Sequence, residues 1–352
     1  VFGTFLNYSA KHDVLLQAGS AYRDRAKDEV SRGMVAYRGR DGRVLWKDRD
    51  IRYGGPCLLW RDRIITNGSG GFQLELLTGK KTGWSYGRMY GCNTAVGGQH
   101  LLTFRSGAAG FCDLAGDSGT GNIGGFRSSC TSNLIAADGV LSAPDFTRTC
   151  SCAYQNQTSL ALIHMPDNEF WTFNKRSLAG VTESTRIGLN LGAPGDRRST
   201  EGTLWMDLPS VGGPSPDLSV TIEPKDVAWF HRHSSAIHTG PLKWVAASGG
   251  KGVRKLSVKL RDAGTRTYTV RLYFAEPDAL KPGERVFAVS LQGKTVVGRF
   301  DIVNFSGGRN HSVVREFRDV SAAGTLEIAL QPKRGSKFPP LLCGVELIRD
   351  DR

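Results

Sequence analysis

Apolar residues along this chain recur at every second position in short runs, and each run is stopped by Gly, Asp, Asn or Pro. Val14-Leu15-Leu16-Gln17-Ala18, Met34-Val35-Ala36-Tyr37, Arg63-Ile64-Ile65-Thr66, Tyr268-Thr269-Val270-Arg271-Leu272-Tyr273-Phe274 and Thr325-Leu326-Glu327-Ile328-Ala329-Leu330 all follow the pattern. Successive side chains of a strand point to opposite faces, so a period of two reads as β-structure with one face toward a core. The 44 glycines supply turns between such strands. A helical pattern is confined to short stretches such as 23–31. The expected fold class is therefore all-β.

With 352 residues, 39% of them hydrophobic, the chain is long enough for two or three domains with real cores. No run of about 18 apolar residues occurs, which argues against a membrane-spanning helix. The opening Val1-Phe2-Gly3-Thr4-Phe5 has no basic region and no cleavage pattern, and reads as the start of a mature or trimmed product. Of the seven cysteines, five (Cys92, Cys112, Cys130, Cys150 and Cys152) fall between positions 92 and 152, and the others are Cys57 and Cys343. This usage points to an oxidising compartment and hence to export, whether periplasmic, cell-surface or extracellular. The odd count leaves one thiol over, and Cys343 lies in an apolar run that suits a buried thiol. Sequons at Asn7, Asn67, Asn156, Asn304 and Asn310 are compatible with export. The net charge of +13 comes from scattered doublets such as Arg197-Arg198 and Lys80-Lys81. No basic run, helical stripe or nucleic-acid signature accompanies it, so the charge reads as serving an anionic polysaccharide or simple solubility rather than nucleic acid.

Two stretches repeat. Val35-Ala36-Tyr37-Arg38-Gly39-Arg40-Asp41-Gly42-Arg43-Val44-Leu45-Trp46 is echoed by Gln73-Leu74-Glu75-Leu76-Leu77-Thr78-Gly79-Lys80-Lys81-Thr82-Gly83-Trp84. Each is a strand, a tight turn and a strand closing on a Trp that packs between neighbouring sheets. The pair resembles the quinoprotein-type β-propeller repeat, although the first copy departs from its signature at Arg38 and Asp41 and the second places its Trp one residue later. Two further blade-length units, about 90–130 and 131–175, lack the Trp. The resemblance implies about four blades, an incomplete ring whose remaining blades lie upstream or in another chain.

After a basic connector the sequence changes character. Arg186-Ile187-Gly188-Leu189-Asn190-Leu191-Gly192, Gly202-Thr203-Leu204-Trp205-Met206-Asp207, the run from Tyr268 to Glu276, Arg285-Val286-Phe287-Ala288-Val289-Ser290-Leu291 and Gly344-Val345-Glu346-Leu347 resemble a malectin or malectin-like domain, in that order. That resemblance implies a jelly-roll β-sandwich, a type that often binds carbohydrate. The expected organisation is 1–175 as propeller blades, 176–185 as linker and 186–352 as the sandwich.

The short motifs weigh little against this. Gly116-Asp117-Ser118-Gly119 matches a protease nucleophile only locally, without the partner histidine segment. Gly119-Thr120-Gly121-Asn122-Ile123-Gly124 fits a phosphate-loop pattern with no helix behind it, and reads as a glycine-rich loop. His231 and His233 would share a strand face at period two, but no third metal ligand is spaced to join them. In the segment TRTCSCAYQNQTSLAL, a bridge between Cys150 and Cys152 is strained. On a strand they would instead share one face, each reaching a neighbouring strand, with Cys92 and Cys130 available; three pairings exist, and geometry disfavours the one joining Cys150 to Cys152. A sugar site needs exposed aromatic faces beside carboxylates and amides. The candidates are Trp205, Asp207, Trp229, Phe230, His231, His233, Trp244, Lys337 and Phe338, with Trp205 also readable as a core residue. In animal malectin, an aromatic pair just after the Phe-Ala-Glu strand contributes to sugar binding; here Pro277-Asp278-Ala279 follows Phe274-Ala275-Glu276.

The expected role is non-catalytic recognition of a polysaccharide or cell-surface glycan. One rival is an oxidoreductase whose complete propeller holds Ca²⁺ and pyrroloquinoline quinone at its axis. The other is a structural surface protein that makes protein contacts.

Overall fold

A computed structural model describes residues 4–19, 33–53, 56–68, 70–128, 132–144, 159–163, 165, 168–173, 186–210, 219–260 and 264–350. The chain divides into two compact units, Val1–Phe170 and Trp171–Arg352. Strands dominate both. The helical elements among the described residues are three short turns, Ser234–Ala236, Lys243–Ala246 and Ile302–Ser306. The fold is all-β, and no described helix is long and apolar enough to cross a membrane.

In the first unit, strands adjacent in sequence pair into antiparallel meanders. Thr4–Ser9, Val14–Gly19, Met34–Arg38 and Val44–Asp48 form the first sheet, and Leu58–Trp60, Arg63–Ile65, Gly70–Glu75 and Lys81–Gly87 the second. Val96–Gly97, Leu101–Ser106, Ala108–Asp113 and Gly119–Asn122 pair in sequence order in a third. Ile135–Ala137, Val140–Ala143 and Leu160–Ile163 form a fourth. The alternation explains how the sheets stack. Ile64 joins a core with Leu16 and Ala36 of the first sheet, whereas its neighbour Ile65 joins one with Leu102 and Phe104 of the third, and both isoleucines are fully buried.

The repeated tryptophans tie these junctions. Trp46 Nε1 donates to the Leu76 carbonyl at 2.8 Å, and Trp84 Nε1 donates to Asp117 Oδ1 at 3.0 Å. Gly79 has φ +71°, and an added Cβ would meet the Trp46 ring at 2.7 Å, so both backbone and packing require glycine there. A polar series also links successive sheets. Asn67 Oδ1 accepts from the Ala95 amide, and Thr94 Oγ1 donates to Asn133 Oδ1. That use leaves the Asn67 sequon buried.

The glycine-rich loop is corrected here. Gly119–Asn122 is a strand paired with Ala108–Asp113, not a loop, because its glycines let it lie against a neighbouring backbone. Ser118 Oγ donates to Asp113 Oδ2 at 2.7 Å, an intra-turn bond, and Asp117 serves Trp84. Cys92 is exposed, while Cys130, Cys150 and Cys152, like the stretch 23–31, lie outside the described residues.

The second unit is a sandwich. One layer runs Arg197–Arg198, Leu204–Leu208, Arg186–Leu191, Gly344–Arg349, Thr265–Phe274, Val313–Ala323. Among the described residues of this layer, Arg186–Leu191 and Leu204–Leu208 pair in parallel. The chain then turns through the hairpin at Ala323 and Thr325 into Thr325–Pro332, which pairs with Lys255–Lys259 and Val286–Leu291. Period two splits the first layer cleanly. Val270, Leu272, Phe274, Val345 and Leu347 enter the core, where Phe274 meets Phe300 at 4.7 Å and Phe287 at 6.0 Å between ring centroids. Arg271, Tyr273, Gly344 and Glu346 occupy the alternate positions, where Tyr273 still packs on the buried Trp205 and Arg271 and Glu346 carry the charges. A small sheet of Ala228–His231, Ser248–Lys251 and Leu341–Leu342 belongs to the same unit.

Candidate functional site

Strand Thr265–Phe274 runs on into Ala275-Glu276-Pro277-Asp278, and the polar network of the second unit is built around that exit. Glu276 and Arg285 are both buried, at 0% and 2% exposure. Arg285 Nε reaches Glu276 Oε2 at 2.8 Å and Nη2 reaches Oε1 at 3.3 Å, a two-pronged contact that fits the planar guanidinium. The same Nη2 binds Asp278 Oδ2 at 2.9 Å, and Nη1 donates to the Pro339 carbonyl at 2.7 Å. Burial pushes the Glu276 carboxyl above its usual range, with Arg285 and the Asp278 amide pulling against it.

Asp278 passes the network outward. Its Oδ1 accepts from Lys251 Nζ at 2.7 Å, and that ammonium lies 5.6 Å from the Phe230 ring centroid. On the other side the Arg285 guanidinium lies 5.8 Å from the Phe338 ring. Phe230 and Phe338, more than a hundred residues apart, thus flank one charged cluster. Phe338 is 38% exposed and Trp229 36%. Arg232 and Arg309 both donate to the Pro277 carbonyl, at 2.8 and 3.0 Å. Lys337 pairs with Glu284 at 3.1 Å beside Phe338. Among the described residues no group of three His, Cys, Asp or Glu side chains is placed to hold a metal.

The other sequence candidates fall elsewhere. Trp205 and Asp207 are buried, at 0% and 4%, and present no face to a ligand. Trp205 packs against Trp244 and Tyr273 at 5.9 and 5.0 Å, and the Asp207 amide donates to Asp196. Trp244 is half-buried, with Arg197 over its ring at 5.1 Å and over Trp171 at 5.8 Å. His231 meets the edge of Trp171, but the strand ends there. His233 does not continue it: it caps the turn Ser234–Ala236, with Nδ1 at 2.8 Å from Ser235 Oγ, so the two imidazoles do not share a strand face. Sequence reasoning passed over Lys251, Glu276, Asp278 and Arg285. Their one signal was an acidic pair, Glu276 and Asp278, at the end of a buried strand.

Residues 259–337 match the Malectin domain family. Curated relatives cover similar short stretches. Nodulation receptor kinase of Pisum sativum is 37% identical over 83 residues, 23% of this chain and 8% of that protein. Receptor-like protein 4 of Arabidopsis thaliana is 40% identical over 72 residues, 20% of this chain and 12% of that protein. The chain therefore spans only a small part of the length of these relatives. Among solved structures, the ectodomain of ANX2 from Arabidopsis thaliana covers 47% of this chain and 50% of its own at 16% identity, with a TM-score of 0.38. Plant receptor-like kinase FER covers 47% and 49% at 18% identity, with a TM-score of 0.35.

Proposed function

We propose that this chain is an exported recognition protein whose malectin-like unit, 186–352, binds a polysaccharide or cell-surface glycan at the rim around Asp278. The observation that carries the reading is the flanking of the Lys251–Asp278–Arg285 network by the Phe230 and Phe338 rings. Aromatic faces match the C–H side of a pyranose, and fixed carboxylate and ammonium groups match its hydroxyls. The malectin match over 259–337 supports a surface-recognition role, as does the similarity to relatives named as receptors. In this reading 1–175 is a partial propeller, completed by blades upstream or in another chain. Support for that comes from the stacked meanders and the tryptophans at their junctions.

The test is a glycan array probed with the intact chain. Binding to at least one neutral or acidic glycan is expected, and Phe338→Ala or Phe230→Ala weakens it by roughly three- to tenfold, the effect of losing one aromatic contact. No binding to any glycan overturns the reading.

A further inference from the structure

On the sheet face that carries Arg271, Glu346 lines a cleft that shares no residue with the Phe338 rim. Its carboxylate is 2% exposed. It accepts from Arg186 at 3.1 Å, Arg271 at 3.2 Å, Tyr273 at 3.3 Å and from Thr203. The cleft above it has a volume of about 480 Å³, with Pro241, Leu242 and Val314 as one wall and Thr200 and Glu201 among its other lining residues. A second cleft of about 520 Å³ shares Arg271 with the first and is also lined by Glu316, Arg318 and Asp350. Each lies within the roughly 300–1,000 Å³ typical of small-molecule sites. Leu242 holds φ +43°, a left-handed conformation rare for a branched apolar residue, and strain of this kind gathers at ligand-binding walls.

Charge decides what such a groove accepts. In the first cleft two guanidiniums stand against two carboxylates, Glu346 and Glu201, and Glu201 is held ionised by its own backbone amide and by Thr200 and Ser199. In the second, Arg271 and Arg318 stand against Glu316, Asp319 and Asp350. Neither half offers an excess of positive charge, although the whole chain carries +13. An anion entering would meet carboxylates at every step, and a cation would meet arginines. Hydroxyl groups donate to the one and accept from the other without net charge. A ring with a polar edge and an apolar C–H face fits both the Arg–Glu floor and the Pro241–Leu242–Val314 wall.

We infer that this groove is a second saccharide site, selective for an uncharged oligosaccharide and distinct from the rim at Asp278. The inference rests on the proposed glycan recognition and adds a location and a charge preference to it.

The experiment titrates the intact chain with neutral linear hexose oligosaccharides and with uronate-containing counterparts, at low and high salt. Thr200→Trp, an exposed substitution at the cleft mouth, is compared with Phe338→Ala, and the thermal midpoints of both are checked against the parent. The expected result is neutral-saccharide binding that salt leaves unchanged. Two components of neutral-saccharide binding are expected: Thr200→Trp weakens the groove's by about tenfold or more and leaves the rim's, while Phe338→Ala weakens the rim's and leaves the groove's. Neutral binding lost in Phe338→Ala but retained in Thr200→Trp overturns the groove and leaves the rim reading standing. Binding of uronates alone, weakened by salt, does the same. An absence of all binding overturns both.

Discussion

The indole of Trp205 lies over Gly188, so close that a Cβ added there would stand 2.3 Å from Cδ2. The two residues are direct partners in the parallel pairing of Arg186–Leu191 with Leu204–Leu208. On the next strand Gly344 makes the same allowance, with an added Cβ 3.0 Å from Cζ3 of the ring and 2.5 Å from Val245. Two glycines on neighbouring strands thus leave a flat bed for Trp205, the largest of the fully buried side chains. Gly188→Ala drives a methyl group into a rigid ring and is expected to cost about 1–3 kcal/mol, the usual range for overpacking. Urea unfolding of the variant checks this, and an unchanged midpoint contradicts it.

The Arg285–Glu276 pair sets a different expectation, because removing one partner leaves the other charge buried alone. Arg285→Met is expected to destabilise the second unit by about 3–5 kcal/mol, while the double variant Arg285→Met, Glu276→Met recovers most of the loss. The pH dependence of the single variant has a definite sign. Without Arg285, burial raises the Glu276 carboxyl further above its unfolded value, so the fold favours the protonated form. Stability is then retained at low pH and lost as pH rises through the folded value, and the deficit between variant and parent grows as pH is raised from about 4.5 toward neutrality. Denaturant titrations at both ends of that window measure it.

These two pairs also mark how much the sequence disclosed. Period-two runs such as 268–274 gave the strands, and Trp46 and Trp84 gave the sheet junctions, because both signals are local. The burial of Trp205 was not local: it depends on Gly188 and Gly344, which reach it from two other strands. The same holds for the rim. Phe230 and Phe338 were legible as candidates, but Lys251, Asp278 and Arg285 join them only through strand pairing that no spacing records. His233 shows the opposite failure. A period-two reading carried the strand two residues too far, past the point where the ring turns back to cap Ser235.

Thiol reactivity tests the packing of each unit separately. Burial pushes the thiols of Cys57 in the first unit and Cys343 in the second up to about 12. The thiolate is the reactive species, so at about pH 8 neither is expected to react with a disulfide reagent while the fold is intact. Mass mapping after native labelling should find both unmodified, and labelling in denaturant should find both modified. Native modification of Cys343 contradicts a core position with no solvent access.

Acid should loosen the second unit through the carboxylates that its arginines and lysines hold ionised. Hydrogen bonds from Arg271 and Arg318 hold Glu316 below its ordinary value of 4.5, and the Lys281 amide and Lys337 ammonium do so for Glu284. A carboxyl lowered in the fold adds stability that is present above the unfolded value and is lost as pH falls through the folded one. The thermal midpoint is therefore expected to fall as pH drops below about 4.5, most steeply at low salt, since these pairs are exposed and screened. Glu316→Gln removes one proton-linked group, so its midpoint should change less with pH across that window than the parent's. Parallel curves for the two proteins would mean that Arg271 draws no stability from Glu316, leaving Glu346 as the partner that fixes it over the cleft.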